Sequence, residues 1–140
     1  MSSSPQVSSI LSLPAWARRT PAALYTIALF FFGCANIGLP RTVELPLDKI
    51  THFAAFLGLE WLIELALVGT AVAARRRAAV VMSAGTGGLL ELTQAALPHR
   101  SAEWLDLLAD SLGALAGAGL LTLLARWRSP RAAGASRLPP

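Results

Sequence analysis

Asp48, Lys49 and His52 open one apolar stretch of this chain, and Pro98, His99, Arg100 and Ser101, followed by Asp106, open another. A histidine among carboxylates can act as a general acid or base, and His52 with Asp106 or Glu91 can hold a divalent cation. A lysine and an arginine beside them can hold an anionic headgroup, Arg100 by a bidentate grip. Inside greasy segments such residues are costly and need a reason. Spacing alone selects no reaction. The sequence holds no H-E-x-x-H, no phosphate-binding P-loop and no G-x-S-x-G.

The elements that must position these residues are apolar. The 140 residues are 54% hydrophobic and 14% charged, where a soluble domain carries about a quarter charged residues. Mean hydropathy is +0.55. The expected fold is all-α: a polytopic membrane protein, a bundle of about four transmembrane helices, with both termini cytoplasmic. The first span is expected from about Ala22 to Leu39, closed by Gly38 and Pro40. The second runs from Ile50 to Ala73 and ends at Arg75-Arg76-Arg77. The third, Ala78 to Leu97, is rich in small residues that allow close helix approach. The fourth, Leu105 to Ala125, carries Gly113 and Gly117 as a small-xxx-small packing face and leaves at Arg126-Trp127-Arg128. Residues 1–20 form an N-terminal flank, disordered and then interfacial, 21–126 the membrane domain, and 127–140 a disordered basic tail.

Loop cations set the orientation. Nine lie in the N-terminal flank, the second loop and the tail, against Arg41, Lys49 and Arg100 in the other two loops. The two polar signatures therefore face outward. The same scattering of short arginine clusters beside apolar runs argues against a nucleic-acid partner. A single cysteine, Cys34, excludes an intramolecular disulfide and a cysteine metal cluster. Phe32-Gly33-Cys34 after Arg18-Arg19 fits a lipoprotein cleavage site poorly, because Phe31 and Phe32 are bulky.

Within the second span His52, Phe56, Glu60 and Glu64 recur every four residues and share one stripe. Glu91 and Gln94 share a face near the end of the third, and Asp106 and Asp110 lie one turn apart at the start of the fourth. His52, Glu91, Gln94, Asp106 and Asp110 are thus expected within the outer third of the bilayer, below Asp48, Lys49 and Arg100. Arg100 is expected to pair with Asp106 or Glu91. Glu60 and Glu64 lie deeper, with no evident cation nearby. Each residue also has a plainer role. Asp48 and Asp106 suit helix N-termini, and Arg100 suits a stabilising ion pair.

Asp48-Lys49-x-x-His52-Phe53-x-x-Phe56, Glu91-x-x-Gln94, and Pro98-x-Arg100-Ser101 with Asp106 and Gly113 resemble the VanZ-like family of small bacterial membrane proteins. The resemblance covers about Pro40 to Leu124. His99 stands where the family usually has glycine, and Asp110 where it usually has asparagine, which adds a negative charge. The resemblance implies a multi-pass protein of the bacterial inner membrane, in a family named for a member associated with low-level teicoplanin resistance. No cofactor and no catalytic residue come with it.

Two functions follow as expectations. In the first, not enzymatic, Arg100 and Lys49 hold the headgroup of a membrane lipid or cell-wall precursor, or a glycopeptide carboxylate. Asp48, His52, Glu91, Gln94, Ser101 and Asp106 complete that ligand-binding site, with no metal. The alternative is a small intramembrane enzyme acting on a lipid-linked envelope substrate, with His52 as acid/base and Asp106 as its orienter. A proton or ion pathway along His52, Glu60 and Glu64 is a third reading.

Overall fold

The structure, a computed structural model, describes residues 12–35 and 46–128. They form four helices, α1 (Ala15–Cys34), α2 (Pro46–Ala66), α3 (Val72–Ala95) and α4 (Trp104–Arg128), with no strand among the described residues. The expected stop at Gly38 and Pro40, the loop holding Arg41 and Glu44, the Ser-rich N-terminus and most of the basic tail lie outside them. The all-α reading stands. One helix, α4, is long and apolar enough by composition alone to cross a membrane.

The helix ends differ from the sequence reading at the second connection. α2 stops at Ala66, short of the expected Ala73, because the chain turns through Gly69, whose φ of 113° is open to glycine and strained for other residues. Helix α3 then begins at Val72, so Arg75, Arg76 and Arg77 occupy its first two turns instead of a loop. Arginine is a good helix former, and nothing local resists this.

α2 is the central helix. It packs on α1, α3 and α4, most extensively on α4, while α1 touches only α2 and α3. Phe56, Leu59 and Ile63 of α2 form the apolar core with Ala79 and Leu90 of α3, and Tyr25, Leu29 and Phe30 of α1 close it from one side. α2 and α4 meet backbone to backbone: a Cβ on Gly113 would fall 2.2 Å from the Phe53 carbonyl oxygen. At Gly117 a Cβ would fall 2.7 Å from Glu60 Oε2, and Trp61 Nε1 donates to the Gly117 carbonyl at 3.1 Å. The small-xxx-small pair is therefore the α2-facing surface of α4.

The C-terminus of α1 is tied to the α3–α4 end. The last four carbonyls of a helix lack partners within it. Here Phe31 O accepts from the Ala35 amide at 2.9 Å and Phe32 O from Arg100 Nη2 at 3.4 Å. Gly33 O accepts from Gln94 Nε2 at 2.9 Å, and His99 Nε2 lies 3.1 Å from Cys34 O, the distance of a donated N–H. His99 thus has a structural task that a glycine could not perform.

Polarity is inverted relative to a water-soluble bundle. Glu60, Glu64, Glu91, Asp106 and Asp110 are buried, while Phe31, Val81, Leu92 and Trp104 are among many large apolar side chains left exposed.

Candidate functional site

At one end of the bundle the first turns of α2 and α4 and the last turns of α3 converge. α2 supplies Asp48, Lys49 and His52, α4 supplies Asp106 and Asp110, and α3 supplies Glu91. The close approach at Gly113 brings the His52 and Asp110 turns together. Gly87 of α3 makes room for Asp110, since a Cβ there would fall 2.6 Å from its Oδ2.

Two linked groups result. Lys49 Nζ donates to Asp106 Oδ1, to Glu103 Oε2 at 2.7 Å and to Asp48 Oδ2 at 3.2 Å, so one ammonium holds three carboxylates. Deeper, His52 Nδ1 lies 2.9 Å from Asp110 Oδ1, and His52 Nε2 lies 3.8 Å from Asp106 Oδ2. Glu91 Oε2 accepts from the Glu103 amide at 2.7 Å, which pins α3 to the start of α4. Asp110 is fully buried and Glu91 and Asp106 are 6% exposed. Glu91 Oε1 and Asp110 Oδ2 are buried without a hydrogen-bond partner. An imidazole fixed by a buried carboxylate is suited to proton transfer or to metal ligation.

Asp48, Lys49, His52, Glu91 and Asp106 are therefore gathered as expected, and Asp110 joins them. Other residues go elsewhere. Arg100 forms no ion pair with Asp106, Glu91 or any described carboxylate; Lys49 occupies Asp106 and the Glu103 amide occupies Glu91. Its guanidinium and the Gln94 amide turn to the end of α1. Ser101 is exposed beside them on the α3–α4 connection. The carboxylate closest to His52 is Asp110, not the expected orienter Asp106. Glu103 also belongs to the group through Lys49, and its place in a short loop four residues after His99 is only a weak signal in the sequence.

The deeper pair is also corrected. Glu64 accepts from Arg75 Nη2 at 3.1 Å and from Arg76 Nε at 3.3 Å, and Arg76 Nη1 donates to Thr122 Oγ1 at 2.6 Å. Glu64 therefore does have cations nearby. They reach it because α3 begins at Val72, ahead of the arginine triplet. A continuous path from His52 to Glu64 is not supported: fully buried Phe56 lies between His52 and Glu60 on the same stripe.

An α-helical bundle that hides carboxylates and displays aromatics, with a histidine–carboxylate cluster at one end, defines a membrane-type helical protein. The VanZ/LLP1 family profile matches residues 3–125, and the chain belongs to that family. No curated protein and no solved structure gives a match. Family membership and the apolar α4 agree on a membrane protein.

Proposed function

We propose that this chain is a multi-pass protein of the bacterial cytoplasmic membrane, with all four helices spanning and both termini cytoplasmic. It modulates susceptibility to teicoplanin-type glycopeptides by binding an anionic headgroup, of an envelope lipid, a cell-wall precursor or the glycopeptide itself, at the outward polar end. The inverted burial supports the membrane placement, since buried charge and exposed apolar surface are the polarity that lipid demands. Arg100 is the observation that carries the binding reading. Lys49 is surrounded by three carboxylates, whereas the Arg100 guanidinium meets only a carbonyl and keeps a buried, unpartnered Nε. Among the described residues at this end, it is the cation without a carboxylate.

The 2.9 Å contact between His52 and Asp110 favours the second reading, an intramembrane enzyme in which His52 is acid/base and Asp110 its orienter. Glycopeptide tolerance at matched membrane expression separates the two. Binding requires that Arg100→Lys lose most of the tolerance through lost bidentate geometry, while His52→Gln keeps most of it. The enzyme requires the reverse order. Wild-type tolerance in both variants rejects both roles. The topology is checked in a Cys34→Ser background: Ser101→Cys labels with an impermeant thiol reagent from outside and Ala71→Cys does not. The opposite pattern overturns the outward site.

A further inference from the structure

His52 of α2, Glu91 of α3 and Asp110 of α4 each bring one ligand-type atom to a small volume, all within 4.8 Å of one another. Glu91 and Asp110 are more than nine-tenths buried, and each keeps one carboxylate oxygen with no hydrogen-bond partner. Unsatisfied buried carboxylate oxygens are expensive, and two beside one imidazole also repel each other. We propose that these three side chains bind one divalent cation of the Mn2+ or Zn2+ class. Two carboxylates neutralise its charge, and a mixed imidazole and carboxylate set suits these ions.

The geometry accommodates it. Ligands about 2.1 Å from one ion stand about 3–4 Å apart. The 2.9 Å hydrogen bond between His52 Nδ1 and Asp110 Oδ1 is close to such an edge and becomes one when the ring proton sits on Nε2, and small side-chain rotations bring in Glu91. Asp106 Oδ2 stands 3.8 Å from the other ring nitrogen, outside hydrogen-bond distance but on the side where a metal-bound histidine ordinarily finds a carboxylate for its second N–H. A second trio, Asp48, His52 and Asp106, is as compact. Its carboxylates are both engaged by the Lys49 ammonium, whose charge repels a cation. Glu91 also lines an open, apolar cavity of about 590 Å³ between α3 and α4, walled by Gly85, Gly88, Leu92 and Leu107. Three protein ligands leave coordination positions open to water or a phosphoryl oxygen. On the binding reading above, on which this last step alone rests, the ion is the positive partner that an acidic site needs to hold an anionic headgroup.

The test uses the full chain in nanodiscs, stripped with chelator and titrated with Mn2+ followed by electron paramagnetic resonance. Wild type is expected to bind one Mn2+ per chain. Affinity is expected to fall at least about tenfold in Asp110→Asn and in Glu91→Gln, and to be unchanged in Asp48→Asn. Absence of stoichiometric Mn2+ on the wild-type chain, a result no variant's folding affects, overturns the site. So does wild-type affinity in either Asp110→Asn or Glu91→Gln, or an equal loss in Asp48→Asn. Metal binding is the readout, so failure of the glycopeptide phenotype would refute the functional reading and leave the ion site standing.

Discussion

The two ends of this bundle both bury charge, and they do so in opposite proportions. At the arginine end, Glu64 lies between Arg75 and Arg76, with Thr122 taking a further guanidinium N–H and Glu60 one turn away. Two carboxylates there face two guanidiniums, although both oxygens of fully buried Glu60 lack a hydrogen-bond partner. At the histidine end, Asp48, Glu91, Glu103, Asp106 and Asp110 crowd around one lysine and one imidazole. A balanced buried cluster ties helices together. An unbalanced one stores a demand for positive charge that something outside the chain can meet. Unpartnered carboxylate oxygens occur at both ends, so the balance of charge alone separates the structural clamp from the candidate site.

The largest expected effect tests the clamp. Glu64→Ala leaves Arg75 and Arg76 without their shared carboxylate and should cost about 3–5 kcal/mol, the usual penalty for breaking a buried pair from one side. Thermal unfolding in detergent measures it, and near-wild-type stability would dissolve the contrast between the two ends. Gly113→Ala comes next. Its Cβ meets the Phe53 carbonyl at 2.2 Å, so α2 and α4 must part, for about 1–3 kcal/mol of overpacking. At the histidine end, Asp110→Asn in metal-free buffer should stay within about 1 kcal/mol of wild type. It weakens one hydrogen bond to His52 and relieves carboxylate crowding. A loss as large as that of Glu64→Ala would make Asp110 a structural residue. Smallest is Gly85→Ala, where a Cβ meets nothing within 4 Å. Helix propensity alone should then raise stability by up to about 1 kcal/mol, and a loss would show that the cavity beside Glu91 is tighter than the glycine suggests.

Much of the site was legible along the chain because helical periodicity is local. The four-residue repeat of His52, Phe56, Glu60 and Glu64 placed them on one face, and that face proved to be the interior of the central helix. Glu91 was placed near the end of its helix by its distance from Pro98, and Asp106 and Asp110 by theirs from the start of α4. Partners across helices were less legible. Asp106 and Asp110 share one face, and choosing between them for His52 depends on the stagger of α4 against α2. One helical turn, about 5.4 Å, exchanges the two. The arginine triplet read as a loop because a cluster of cations after an apolar run is the usual mark of a span's end.

Composition and patterning by themselves determined four helical segments, all-α among the described residues, whose polar residues gather at defined ends. Those properties follow from the side chains of each segment and the 3.6-residue turn. Only the tertiary structure decided that Lys49, not Arg100, answers Asp106, that Arg100, Gln94 and His99 close the end of α1, and that Asp110 sits against His52. Those pairings depend on how closely two helices approach and at what height. That is set where Gly113 and Gly87 lack a side chain, between residues too far apart in sequence for any local pattern to register.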